Sequence, residues 1–268
     1  MVETALAKTN PKVTELKTVL AEPSIQEQFQ NALKEYSGAF VASIVEVFSS
    51  DNNLQNCDPK LVVIECLKAA TLRLPINRQL GFAWIIPYKN APVFQLGYKG
   101  YIQLAMRTGQ YRYLNADIVY TGMSVHREYL TGDVRLEGEP ISDKAIGYFT
   151  YMQLINGFTK TKYMTVEEVR RHAERYSPSY HKETSLWKTD FDAMALKTTT
   201  RQLLSHYGIL SPEMLGAIDA DRDPEAELEQ EKALFANREE IKPPALNPPT
   251  MEYREATDAT STPRQAPW

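Results

Sequence analysis

The segment Ala145–Met164 places the strongest constraint on what this chain can fold into. It holds two runs of strand-forming residues, and Asn156-Gly157 lies between them. An Asn-Gly pair in this position is the strongest short-range signal for a β-hairpin. The chain is therefore expected to contain antiparallel sheet.

Helix and strand patterns alternate along the rest of the chain. Capping boxes at Ser24–Glu27 and Thr165–Glu168 predict the starts of two helices, the first running to about Val47. The other predicted elements are helices at Lys60–Arg73 (with Leu61, Ile64, Leu67 and Ala70 on one apolar stripe), Tyr98–Thr108, Ser185–His206 and from Ser211, and strands at Phe82–Tyr88, Pro92–Leu96, Tyr113–Tyr120 and Arg127–Leu136. This order predicts an α+β fold, a mainly antiparallel β-sheet with helices packed on one side.

Composition divides the chain into three regions. We predict a flexible N-terminus over residues 1–23, a folded core over 24–215, and a flexible acidic C-terminal tail, rich in proline and threonine, over 216–268. The tail is alternatively a small module that binds a partner protein. Met1–Pro11 lacks the features of a secretory signal, and no apolar run is long enough to span a bilayer. The two cysteines do not have the spacing of metal ligands. A cytoplasmic protein without a membrane partner is expected.

The charge of the chain is distributed unevenly. Residues 60–210 hold 20 basic and 13 acidic side chains, whereas residues 211–268 hold 6 basic and 13 acidic ones, within an overall net charge of −4. Thirteen of the fifteen tyrosines lie between Tyr88 and Tyr207. A basic, tyrosine-rich middle indicates a polyanionic partner. A solvated basic surface that coincides with a tyrosine-rich core explains the same pattern equally well.

Signals of catalysis are mostly absent from the sequence. No glycine-rich loop has the spacing of an ATPase phosphate site, and Gly97-Tyr-Lys-Gly100 has the wrong spacing. The four histidines do not pair at metal-ligand spacing. Glu167-Glu168 lies in a first helical turn, where acids favour the helix dipole, and Asp190 and Asp192 do not share a helical face. We therefore expect no catalytic residue, no metal and no cofactor.

Two helical stripes carry candidate contacts for a polyanion. Lys99, Gln103 and Arg107 recur every four residues in the first, and Lys197 and Arg201 are four apart in the second. Any solvated helix face has a similar pattern, so neither stripe is specific by itself.

The hairpin supplies a third candidate surface. A two-residue turn at Asn156-Gly157 would place Lys160 across from Gln153 and Lys162 across from Tyr151, with all four side chains on one face. Ammonium groups beside an aromatic ring suit phosphates and bases. Protection of an exposed sheet edge is the alternative role for these lysines.

Taken together with their neighbours, these residues resemble the RecT family of phage-type single-strand DNA annealing proteins, which is related to Redβ. The resemblance covers roughly residues 30–215. It is carried by the following stretches: Leu72–Pro75, Gly81–Tyr88, Gln95–Gly109 with its Gly-Tyr-Lys-Gly block, Ala145–Phe149, and Trp187–Arg201.

The resemblance implies an ATP-independent protein that binds single-stranded DNA and the annealed duplex, without being an enzyme. It also implies a homo-oligomeric ring or filament, a companion exonuclease and a host single-strand-binding protein as partners. The matching positions implied as DNA contacts are Lys99, Arg107, Lys197 and Arg201. For self-assembly we expect the helix over 24–47, with Phe29, Leu33, Phe40 and Ile44, although packing in the core of the same chain is equally consistent.

Two other classes stay open on the sequence alone. One is a structural subunit whose basic face contacts acidic protein. The other is a nucleic-acid-processing enzyme with an unrecognised site.

Overall fold

Four helices form the N-terminal part of the computed structural model, which describes residues 10–88, 90–177, 179–183, 185–209 and 211–221. Their bounds are α1 Pro11–Leu20, α2 Pro23–Leu33, α3 Ser37–Ser50 and α4 Pro59–Thr71. Asn10 and Asp58 cap α1 and α4 through their side chains, and a proline follows each cap because its fixed φ suits the first helical position. The helices enclose a core whose largest side chains include Leu16, Phe29, Ile44 and Phe48.

Three expectations for this region need correction. The predicted helix over 24–47 is two helices, because Lys34 adopts a φ of 53° and a 3₁₀ turn separates α2 from α3. Helix α2 begins at Pro23, with Glu22 at the N-cap position and no side-chain capping hydrogen bond, so the capping box at Ser24–Glu27 does not form. Residues 11–20, within the predicted flexible segment 1–23, form α1 because Leu16 and Leu20 are buried in the core.

The residues expected to serve self-assembly pack within their own chain. Phe29, Leu33, Phe40 and Ile44 are all buried in the helical core. On α4 the predicted apolar stripe is also rotated, since Leu61 and Ile64 are exposed while Val62, Val63, Cys66 and Ala69 are buried.

A β-hairpin and a short helix follow α4 and confirm the prediction for this segment. Strands β1 (Ala83–Tyr88) and β2 (Ala91–Leu96) pair antiparallel, and α5 spans Tyr98–Arg107. Gly109 follows α5 with a φ of 68°, a left-handed conformation that glycine adopts without strain.

The main sheet has three antiparallel strands in the order β3-β6-β7. They are β3 Tyr111–Tyr120, β6 Ala145–Leu154 and β7 Thr159–Thr165. Strands β4 (Ser124–Arg127) and β5 (Val134–Glu137) form a separate hairpin. The single strand predicted over Arg127–Leu136 is therefore wrong, because the chain turns back between β4 and β5.

The hairpin between β6 and β7 is confirmed, but its register differs from the prediction by one residue. Leu154 N–H donates to the Phe158 carbonyl oxygen over 2.8 Å, which leaves a three-residue loop, and Gly157 takes a φ of 89° at its end. Lys160 consequently pairs with Met152, and Lys162 pairs with Thr150. Because a shift of one residue exchanges the faces of a strand, both lysines lie on the opposite face from Tyr151 and Gln153.

Four further helices complete the described chain. They are α6 Val166–Tyr176, α7 Leu186–Thr189, α8 Phe191–Tyr207 and α9 Pro212–Ala220. The Thr165–Glu168 capping box at the start of α6 is confirmed. The helix predicted over Ser185–His206 is interrupted at Asp190, whose backbone is not helical and whose side chain caps α8.

Helix α8 packs against the inner face of the three-stranded sheet through buried hydroxyl groups. The Thr150 hydroxyl lies 3.1 Å from those of both Thr199 and Thr200, and the Tyr148 hydroxyl donates to Asp192. Helices thus cover one face of an antiparallel sheet, and the predicted α+β fold is confirmed.

The predicted end of the core, at residue 215, falls inside α9. Met214 and Ala217 of this helix are buried, as is Asp221 after it. The rest of the predicted tail, residues 222–268, and residues 1–9 lie outside the described residues. Within the part of the chain that is described, each helix is too short or too polar to cross a membrane.

Candidate nucleic-acid interface

A groove of about 670 Å³ runs beside α8. Its walls come from the β1–β2 hairpin, α6, α9 and the chain between α6 and α8. Three cationic side chains line it, Lys182, Lys197 and Arg201, together with aromatic rings that include Tyr88 and Tyr176. Cations follow a phosphate backbone and rings stack on bases, so this combination suits a single nucleic-acid strand.

The packing of α8 explains why its basic stripe faces the groove. Thr199, Thr200 and Leu203 are buried, and the two threonines are held against β6. Lys197 and Arg201, one turn apart, lie on another side of the helix and line the groove. The sequence prediction that these two residues share one face is confirmed.

Aromatic rings and a cation from other elements adjoin each other in the lining of the groove. The rings of His172 and Tyr176, one turn apart on α6, have centroids 4.7 Å apart. Lys182 Nζ lies 4.5 Å from the ring centroid of Tyr88 and donates to its hydroxyl over 3.0 Å. Such rings offer stacking surfaces that do not depend on base identity.

Trp187 is a further aromatic residue of the groove wall. It is 5 % exposed, and its indole Nε1 has no hydrogen-bond partner among the described residues. Its ring packs against Tyr180 and Phe191 with centroid separations of 6.1 and 5.7 Å. These contacts fix the indole as part of the wall.

The pKa of His172 reports the electrostatics of this region. Burial lowers the pKa of the imidazole, and the nearby charges of Lys162 and Arg201 lower it further. Gln202 Nε2 lies 3.4 Å from its Nδ1. The imidazole therefore disfavours a proton, because it is partly buried and because positive charge lies near it.

Helix α9 and the residue after it contribute Ile218 and Asp221 to the lining of the groove. Lys197 Nζ forms an ion pair of 2.8 Å with Asp221, whose side chain is 1 % exposed. The Arg201 guanidinium lies 3.5 Å from the carbonyl oxygen of Ile218 in α9. Both predicted contact residues of α8 are thus engaged by α9 and the residue that follows it.

The predicted stripe of α5 does not line this groove. Lys99 and Gln103 are exposed on α5. Arg107 donates to the carbonyl oxygens of Leu72 and Arg73, over 2.6 and 2.9 Å, where Arg73 takes a φ of 51° after α4. Burial and the charge of Arg73 lower the pKa of Arg107. Its guanidinium thus stabilises a turn of the chain.

The hairpin residues are divided between the two faces of the sheet. Lys160 and Lys162 lie on the inner face. Lys160 donates to the Thr131 carbonyl oxygen over 2.6 Å, and its Nζ lies 5.2 Å from the ring centroid of Tyr207. The charge of Lys162 lowers the pKa of His172. Tyr151 and Gln153 lie on the outer face. The single surface of Lys160, Lys162, Gln153 and Tyr151 that the sequence predicts is therefore wrong.

The sequence interpretation missed the groove residues His172, Tyr176, Tyr88, Lys182 and Trp187. The spacing of His172 and Tyr176 on a predicted helix would have placed them on one face. Lys182 had no comparable signal, because it lies in a segment without regular structure.

The carboxylates considered for catalysis have structural partners. Asp190 caps α8, Asp192 accepts from Tyr148, and Glu168 combines its role in the capping box with an ion pair of 3.0 Å to Arg127. No group of three or more potential metal ligands occurs among the described residues.

Sequence similarity to known proteins extends over most of this chain. The model of the RecT family matches residues 38–234. The uncharacterised protein YqaK of Bacillus subtilis (strain 168) is 44 % identical over 204 residues, which cover 76 % of this chain and 70 % of YqaK. Protein RecT of Escherichia coli (strain K12) is 25 % identical over 225 residues, or 78 % of this chain and 81 % of that protein.

Proposed function

The chain belongs to the RecT family of DNA-annealing proteins, and from this premise we propose that its groove binds single-stranded DNA for annealing in homologous recombination. Binding and annealing proceed without ATP in this proposal. The observation that carries it is the joint lining of one groove by Lys182, Lys197 and Arg201 and by aromatic rings.

The chemistry of the groove fits a strand of any sequence. Ammonium and guanidinium groups contact phosphates, which are the same at every position, and aromatic rings stack on any base. Selection of the complementary strand is then left to Watson–Crick pairing. No chemical step by a side chain is needed, so we propose a binding protein rather than an enzyme.

Several finer features follow from family membership. We propose that the protein works in the cytoplasm as a homo-oligomeric ring or filament and holds the annealed duplex after pairing, because two backbones offer more phosphates than one. A companion exonuclease and a host single-strand-binding protein are the proposed protein partners. For residues 222–268 we propose a partner-binding role outside the annealing core.

The response of binding to salt tests the proposal against the main rival, a subunit that binds acidic protein. We expect the affinity for oligo(dT) to fall by about 0.7 log units per log unit of salt for each phosphate contacted. Fluorescence anisotropy over a salt series measures this slope. The absence of binding at low salt would refute the proposal, whereas cleavage of labelled strands by the protein alone would favour the enzyme class.

A second prediction concerns His172 and pH. Bound phosphates bring negative charge near an imidazole whose pKa is lowered by burial and by Lys162 and Arg201. We therefore expect the pKa of His172 to rise in the complex, so that binding takes up a proton and affinity increases as the pH falls from 8 to about 6. Oligo(dT) affinities across this range measure the effect.

His172→Gln is the matched variant for this pH series. We expect it to flatten the response without abolishing binding, because the cations that line the groove, Lys182, Lys197 and Arg201, are retained. An equally steep response in a folded His172→Gln protein would contradict the assignment.

A further inference from the structure

Three groups from separate parts of the chain hold the carboxylate of Asp221. Lys197 Nζ and the backbone N–H of Leu96 donate to Oδ1 over 2.8 and 2.9 Å, and the Tyr101 hydroxyl donates to Oδ2 over 2.7 Å. Asp221 is 3 % exposed. The donors are therefore already fixed around a pair of anionic oxygens.

These donors also fit the non-bridging oxygens of a phosphodiester. A phosphodiester and a carboxylate each carry one negative charge shared over two acceptor oxygens, and both accept strongly from ammonium, N–H and O–H groups. Burial and the adjacent carboxylate raise the pKa of Tyr101, so its hydroxyl stays protonated and remains a donor.

The anion site opens onto the groove at Lys197, whereas its other two donors, from Leu96 and Tyr101, are buried and do not line the groove. Lys197, Arg201, Ile218 and Asp221 all line the groove. A strand that contacts Lys197 and Arg201 there approaches the place where the Asp221 carboxylate lies. Phosphate and carboxylate would then compete for Lys197.

The attachment of α9 is compatible with release. Among its described side chains, those of Met214 and Ala217 are buried and that of Ile218 is partly buried, and the Arg201 contact with the Ile218 carbonyl is long at 3.5 Å. The ion pair at Asp221 is thus a substantial part of what holds this short helix in place.

We propose that the three donors around Asp221 form a phosphate-binding site for single-stranded DNA, which the chain's own Asp221 occupies when DNA is absent. This inference rests on the proposed function. A phosphate of the bound strand displaces the carboxylate, Lys197 exchanges one anionic partner for the other, and α9 loosens. Asp221 consequently opposes DNA binding, and DNA binding frees the start of the C-terminal region.

Asp221→Asn in the full-length chain tests the proposal. The amide keeps the size of the side chain and removes the charge that competes with DNA. We expect the dissociation constant for oligo(dT) to fall about tenfold, the equivalent of about 1.4 kcal/mol. Glu213→Gln is the matched control, since it removes one negative charge from an exposed position on α9, the helix that Asp221 follows. Its affinity should stay within about twofold of the parent value, as expected for an exposed charge.

Hydrogen exchange in the unaltered protein gives a test that does not depend on the folding of a variant. With saturating oligo(dT), amides of 214–221 should exchange faster while amides of α8 exchange more slowly. Protection of 214–221 by DNA, or a folded Asp221→Asn that binds no tighter than the parent, overturns the inference. Failure of the parent protein to bind oligo(dT) instead overturns the proposed function.

Discussion

We expect Lys197→Met to lower the free energy of unfolding by about 3 kcal/mol, the loss typical when one partner of a largely buried ion pair is removed. The variant leaves the Asp221 carboxylate, with its side chain 1 % exposed, without its cation. The two neutral donors, from Leu96 and Tyr101, do not balance that charge. Urea denaturation followed by circular dichroism measures the difference.

Lys99→Met is the control for this stability prediction. Lys99 is exposed and forms no ion pair with a residue that the structure describes, so its replacement should change stability by less than about 0.5 kcal/mol. Adding Asp221→Asn to Lys197→Met should restore much of the lost stability. A double variant that is as unstable as Lys197→Met would show that the ion pair is not the cause.

Arg201→Gln should weaken binding to oligo(dT) about tenfold and lower the salt slope by about 0.7, the contribution of one phosphate contact on a single strand. Arg201 lines the groove, and its described hydrogen bond to the Ile218 carbonyl is long at 3.5 Å. Its charge is therefore available to a strand in the groove. Anisotropy titrations at several salt concentrations provide both quantities.

Lys99→Gln is the informative comparison, because the family resemblance implies Lys99 as a DNA contact whereas the structure places it outside the groove. A path confined to the groove predicts an affinity within about twofold of the parent protein, as for other exposed charges. If Lys99→Gln loses as much affinity as Arg201→Gln, the strand also follows α5. That result would contradict the groove as the complete path.

The hairpin illustrates what local sequence determines. Asn156-Gly157 correctly predicts that β6 and β7 pair, because both residues favour tight turns. The loop length is decided by further contacts, in which the Asn156 side chain accepts from Phe158 N–H over 2.9 Å. One additional loop residue moves Lys160 and Lys162 to the other face, so register was less predictable than pairing.

Helices α8 and α4 show what sequence periodicity can and cannot predict about packing. The basic stripe of α8 is predictable, since Lys197 and Arg201 are one turn apart and are the only lysine and arginine of that helix. On α4, by contrast, apolar residues occupy both sides. Leu61 and Ile64 are exposed while Val62 and Val63 are buried, and tertiary packing rather than periodicity decides between the two faces.

The anion site at Asp221 lies beyond what local patterns can reveal. Asp221 is 125 residues from Leu96 and 24 residues from Lys197. In sequence it is one of many acidic residues near a charged C-terminus. Only the folded chain brings it against the basic stripe, which is why the sequence interpretation assigned Lys197 to DNA alone.

The contact of the Thr150 hydroxyl with those of Thr199 and Thr200 has a consequence for how DNA affinity is set. Successive residues of an α-helix are about 100° apart around its axis, so the rotation of the helix decides which side chains face the groove. Apolar contacts are not directional, and a helix packed through them alone can rotate slightly without losing them. Directional hydroxyl contacts favour one azimuth of α8. The direction in which Lys197 and Arg201 point thus depends on buried, uncharged residues between α8 and β6. Substitutions of these residues can change the affinity for DNA although the residues do not contact it.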